Sequence, residues 1–138
     1  MPRRESFRLP RHPASVGLAR RRVREHLAAW GHGADDRAAG DAVLVVSELA
    51  TNAVRHGPPQ EREFEVAVTA LGDGACLIEV SDGGRDTPRP RPVTDADEHG
   101  RGLHLVQHLA TTWGVRHRGH HGKTVWALLT RRPHPEPT

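Results

Sequence analysis

Three short stretches of the chain hold residue types that can act together on a charged, oxygen-rich substrate. The first contains Glu48 and Asn52. On a helix a spacing of four stacks both side chains on one face, one turn above the other. Asp41 and Arg55 fall near the same line. A carboxylate in that position can take a proton, and an amide oxygen one turn away can ligate a hard cation. Alone, such a pair is ordinary helix surface.

The second stretch is Val80-Ser81-Asp82-Gly83-Gly84. Strand alternation puts Asp82 on the face of Ile78 and Val80, where a carboxylate must find donors. The two glycines after it let a ligand approach the backbone closely. A planar heterocycle with an exocyclic amine, adenine for example, suits an acceptor at a pocket floor. An Asp-Gly turn closing a strand accounts for the same letters. The third stretch, His99-Gly100-Arg101-Gly102-Leu103, opens a helix, and its glycines free backbone N–H groups at a positive helix end that favours anions. It is no Walker loop, since Gly-Lys-Ser/Thr is missing. It also lacks the third glycine and preceding strand of a dinucleotide fingerprint.

The elements that must hold these stretches follow from periodicity. Val16, Ala19, Val23 and Leu27 predict a helix over 14–30, stopped by Gly31 and Gly33. Ala42, Val46, Leu49 and Ala53 form the core stripe of a second helix over 35–56, ended by Gly57-Pro58-Pro59. Its polar line of Glu48 and Asn52 is expected on the side away from that stripe. Phe64, Val66, Val68 and Ala70 alternate along a strand over 63–71, and Gly72-Asp73-Gly74 turns into a second strand over 75–82. Residues 83–100 contain three prolines and scarcely an apolar residue, a composition suited to a functional lid over 85–99. A third helix over 101–112 and closing strands over 114–118 and 123–130 complete the order. A further short strand is expected at 6–9. The fold expected is α+β, a two-layer α/β sandwich whose mixed, mostly antiparallel sheet carries three helices on one face. One domain spans 6–130, with tails at 1–5 and 131–138.

Composition narrows the function. A chain of 138 residues with 36% hydrophobic and 27% charged residues suits one soluble domain rather than disorder. No apolar run approaches a membrane span of about 20 residues. The basic N-terminus has no apolar stretch after it, so no secretory signal is expected and the location expected is cytoplasmic. Cys76 is the single cysteine, which excludes an internal disulfide. The isoelectric point of about 10.3 reflects arginine, Lys123 being the sole lysine, and a net charge of +3 is a modest field. Arg20, Arg21, Arg22 and Arg24 read as a solvated helix face without aromatic interleaving, so direct nucleic-acid binding is not expected. His104 with His108, and His117 with His120 and His121, lack the further ligands of a recognised metal spacing. Trp30, Trp113 and Trp126 are expected in the core.

Taken in order, the three stretches resemble the motifs of the GHKL (Bergerat-fold) ATPases. Residues 48–57 look like the N box, Asp82-Gly83-Gly84 the G1 box, and Gly100-Arg101-Gly102-Leu103 the G2 box. Gly122-Lys123-Thr124-Val125-Trp126 is similar to the late strand whose threonine lies on the adenine side. Within that superfamily the anti-sigma factor serine kinases, and actinobacterial stand-alone ATP-binding regulators, are most similar. The resemblance implies ATP and Mg²⁺ as cofactors. It assigns Mg²⁺ coordination to Asn52, general-base catalysis to Glu48, and the adenine amine to Asp82 with Thr124. Gly84, Gly100, Arg101, Gly102 and Leu103 would border the lid and the phosphates. It implies a protein serine/threonine kinase acting in transcription regulation, with a sigma factor and a STAS-type anti-anti-sigma protein as partners, and leaves room for a homodimer. A non-catalytic ATP-gated binding module is the alternative, and the presence of both Glu48 and Asn52 favours the kinase.

Overall fold

The computed structural model describes residues 2–33, 37–57, 60–83, 98–119 and 122–130, and for 98–102 the backbone alone. The elements run β1 (Arg3–Pro10), α1 (Ala14–Ala29), α2 (Arg37–His56), β2 (Glu63–Ala70), β3 (Cys76–Asp82), α3 (Glu98–Leu109), β4 (Thr112–His117) and β5 (Lys123–Leu129). This is the order read from the sequence. The strands form one five-stranded sheet in the order β1-β2-β3-β5-β4. All four pairings are antiparallel, so the expected mixed sheet is antiparallel throughout.

Alternation sorts the sheet into two faces. Phe7, Leu9, Phe64, Val66, Val68, Ile78, Val80, Val125, Ala127 and Leu129 point to one side and are buried. Against them lie Ala19, Val23 and Leu27 of α1 and Ala42, Val46, Leu49 and Ala53 of α2, in a single cluster joined by Val106 of α3. α2 crosses the middle of this layer, packing on β3, β5, α1 and α3. That packs the helix carrying Glu48 and Asn52 on the strand that carries Asp82.

Local signals explain the boundaries. α1 ends at Trp30, and Gly31 supplies the left-handed residue (φ 93°) that lets His32 N–H return to the Leu27 carbonyl at 2.8 Å. The β2–β3 link is a tight 3₁₀ turn at Gly72–Gly74, with Asp73 and Gly74 both at positive φ. β1 begins at Arg3, so pairing with β2 takes in Arg3–Glu5, which the sequence reading assigned to a tail. α3 starts three residues before the expected position, at Glu98. The expected lid lies outside the described residues except at its last two positions, where α3 has already begun; the C-terminal tail lies outside them altogether. Among the described residues no helix is long and apolar enough to cross a membrane.

Candidate functional site

α2 carries the first pair. With about 100° per residue, Asn52 falls at the edge of the stripe made by Leu49, Ala53, Val45 and Ala42. Asp41 and Glu48 come next, followed by Arg55. The structure agrees: Asn52, Glu48 and Asp41 are half-buried, whereas Arg55 is exposed. The polar line thus flanks the core face instead of opposing it, as the sequence reading had it. The flank leans over neighbouring elements and stays partly covered. One consequence is specific to Asn52. Its Nδ2 is fully buried and has no hydrogen-bond partner among the described residues. A buried amide group without a partner costs about 1–3 kcal/mol, so this nitrogen is a candidate ligand contact.

Asp82 ends β3 on the helix-facing side, as alternation predicts, and its side chain is 6% exposed. Its cross-strand partner is Lys123, the first residue of β5. Lys123 Nζ donates to Asp82 Oδ1 at 3.2 Å, and the lysine side chain is 5% exposed. One register step away, Ser81 pairs with Thr124. Their hydroxyls are 2.7 Å apart, on the opposite face of the sheet.

Thr124 does not share the face of the sheet that carries Asp82; Lys123 does. Gly122 sets the register, since it enters β5 at φ 101° and a Cβ there would collide with the Asp82 carbonyl and Gly83. The residue directly after the glycine therefore faces the helices. Lys123 escaped sequence reasoning because a lone lysine reads as solvated surface. Glu61 escaped it too. Its carboxylate packs against Gly83, where any Cβ would overlap it, so Gly83 keeps a second acid close to Asp82.

The third stretch lies where the helix dipole requires it. His99, Gly100, Arg101 and Gly102 fall in the first turns of α3, at the helix end whose dipole favours anionic oxygens. Leu103, expected beside the phosphates, is 3% exposed and anchors that turn in the core. Gly84 lies outside the described residues. α3 packs on α2, so its N-terminal turn and the Glu48–Asn52 flank belong to neighbouring helices.

Residues outside the site behave simply. His104, His108 and His117 are exposed, and no group of three or more His, Cys, Asp or Glu suited to a metal occurs among the described residues. An oxygen-ligated cation would therefore draw on Asn52 and on oxygens of the substrate and solvent, which is how Mg²⁺ is commonly held. Asn52 suits this role: rotating its amide turns either Oδ1 to a cation or Nδ2 to a phosphate oxygen. Trp30 and Trp113 pack against the core as expected. Trp126 does not. It is half-buried on the outer face, its indole covering Gly114.

Known proteins share this fold. The profile of the histidine kinase-like ATPase domain matches residues 9–129. The crystal structure of the RsbU and RsbW domains of Rv1364c from Mycobacterium tuberculosis is similar at a TM-score of 0.69 and 26% identity. The match covers 99% of this chain and 35% of that one, so the chain spans about a third of that structure's length. The histidine kinase domain of a blue-light-activated histidine kinase from Erythrobacter litoralis EL346 matches at 21% identity and a TM-score of 0.48, covering 88% of this chain and 61% of its own. No curated protein sequence matches significantly.

Proposed function

The chain belongs to the histidine kinase-like ATPase domain family, and from that premise we propose that it is an ATP-binding regulator, an anti-sigma factor that phosphorylates a STAS-type anti-anti-sigma partner on serine or threonine. The observation that supports the ATP-binding reading is Asn52, whose amide nitrogen is buried on α2 without a hydrogen-bond partner among the described residues. The likeness to the RsbW domain supports the regulatory part.

In this reading Asp82 accepts from the adenine amine at the floor of the site. Asn52 would hold Mg²⁺, which when bound would neutralise phosphate charge. Gly84, Gly100, Arg101 and Gly102 line the phosphates, with Leu103 fixing the turn from the core side. Glu48, one turn from Asn52, accepts the proton as the partner's hydroxyl oxygen bonds to the γ-phosphorus. The bond from that phosphorus to the β–γ bridging oxygen breaks, leaving ADP and a phosphorylated partner. Positioning and charge neutralisation supply most of the rate, and a carboxylate beside a cation site supplies the proton acceptor.

Two measurements test the reading. Mg·ATP is expected to bind in the micromolar range, about −7 to −8 kcal/mol, and to raise the unfolding temperature in proportion to its concentration. No shift at millimolar Mg·ATP would end the nucleotide reading. Glu48→Ala is expected to retain that shift and lose about 10²–10⁴-fold of γ-phosphoryl transfer to a STAS-type protein from the same host. Equal transfer by Glu48→Ala and the parent would remove Glu48 from the chemistry.

A further inference from the structure

The outer side of the helix layer carries a surface that neither the core nor the nucleotide site uses. Leu44 of α2 is 47% exposed, the highest value for a large apolar side chain among the described residues. It stands one turn before Glu48, so the leucine and the candidate base are neighbours along the helix surface. Arginines frame it from the next helix. Arg22 of α1 lies over the Phe7 ring of β1, and at about 100° per residue Arg20 and Arg24 fall on the opposite flank, toward α2. The link between the two packed helices is short, residues 30–36, so they run antiparallel. Counted from Gly33 in the middle of that link, Leu44 is 11 residues on, and Arg24 and Arg20 are 9 and 13 residues back. The leucine and the two arginines therefore share one level of the layer. Both arginines are exposed, and neither forms an ion pair with a described residue. The single acid of α1, Glu25, falls on the Arg22 flank. A lone exposed leucine is ordinary surface. One that stands a turn from the candidate base, within an uncompensated positive field, is not.

Resting on the kinase reading above, we propose that the surface around Leu44, Arg20 and Arg24 is where the phosphoacceptor protein docks, and that it selects an acceptor whose serine or threonine is accompanied by an apolar side chain and by carboxylates. A partner hydroxyl reaches Glu48 only when the partner covers the surface next to that carboxylate, and Leu44 is part of it. An apolar side chain set on Leu44 is desolvated there and supplies affinity. Carboxylates facing Arg20 and Arg24 steer the encounter and fix its direction, whereas a basic partner is repelled. A protein suits this surface better than a nucleic acid, because the anionic groups must come with an apolar side chain for Leu44. None of the three residues touches the nucleotide or the transferred group.

Steady-state transfer from Mg·ATP to a STAS-type protein of the same host tests this on the full chain. Leu44→Ser is expected to raise KM for that protein about tenfold with kcat unchanged within about twofold, the split produced when binding is lost equally in ground and transition states. Arg20→Glu with Arg24→Glu is expected to raise KM about tenfold at about 0.05 M salt and much less at about 0.5 M, because exposed charges are screened. The rise in unfolding temperature with Mg·ATP should match the parent in both variants. An unmoved KM in both, or a fall in kcat alone, would overturn the proposal. Loss of the Mg·ATP shift would overturn it too, since the surface would then belong to the fold or to the nucleotide site. A parent that shows the shift but phosphorylates no STAS-type protein removes the kinase reading and this inference together. Transfer by the parent that is indifferent to both variants removes this inference alone.

Discussion

Two adjacent rungs of the β3–β5 ladder face opposite sides of the same sheet. Ser81 and Thr124 share a neutral hydroxyl pair at 2.7 Å on the outer face, whereas Asp82 and Lys123 form a buried ion pair on the inner one. Sequence neighbours, equal burial and one register give two different chemistries. The outer rung satisfies itself and needs nothing further. The inner rung lies on the face packed by α2, which holds a buried amide nitrogen without a described partner at Asn52. Binding potential for a nucleotide therefore lies with polar groups that the fold buries on the helix side.

The most forceful way to break the contrast is to remove one ion. Asp82→Ala leaves the Lys123 ammonium buried without its partner, which is expected to cost about 3–5 kcal/mol in urea denaturation. Nucleotide binding should vanish as well. A paired change, Asp82→Leu with Lys123→Met, is expected to recover most of the stability and none of the binding. Stability and recognition would then separate, as they must if the charges serve a ligand. Recovery of both would mean that the base is read elsewhere.

A milder change probes the outer rung. Thr124→Val keeps the shape and removes one hydroxyl, with an expected cost of about 1 kcal/mol and nucleotide affinity unchanged within about twofold. This outcome would sharpen the distinction, because the sequence reading had placed Thr124 beside the base. A loss of ATP affinity of about tenfold in Thr124→Val would restore that assignment.

Much of this was legible in the letters. Helix periodicity gave both long helices, and in β2 the large apolar residues Phe64, Val66 and Val68 recur at every second position, on the side buried against the helices. Asp82 was placed on the correct face by the same rule. β5 resisted, because Lys123, Thr124 and Val125 are all buried and no alternation of polarity marks its faces. Its register depends on the left-handed Gly122 and the close approach of β3, a tertiary fact that no periodicity encodes. α2 was misread in a smaller way. Spacing at about 100° per residue puts Asn52 at the edge of the apolar stripe, and the sequence reading erred in setting the polar line opposite that stripe.

The smallest effect is expected farther along the outer face. Glu79 is 13% exposed there and meets two arginines, Arg116 at 2.5 Å and Arg4 at 3.9 Å. Both cations are more than half exposed, so solvent and salt screen them. Arg116→Ala removes the shorter bond, yet Arg4 remains within reach of the same carboxylate. The expected loss is below about 1 kcal/mol, declining further as salt rises from 0.05 to about 0.5 M. Adding Arg4→Ala should cost more than it does in the parent, because the second cation is then the only one left to Glu79. Strict additivity would show that the two arginines act independently. A loss above about 2 kcal/mol in Arg116→Ala alone would show that the outer face, too, holds a charge that behaves as buried, and the division between the two faces of the sheet would have to be redrawn.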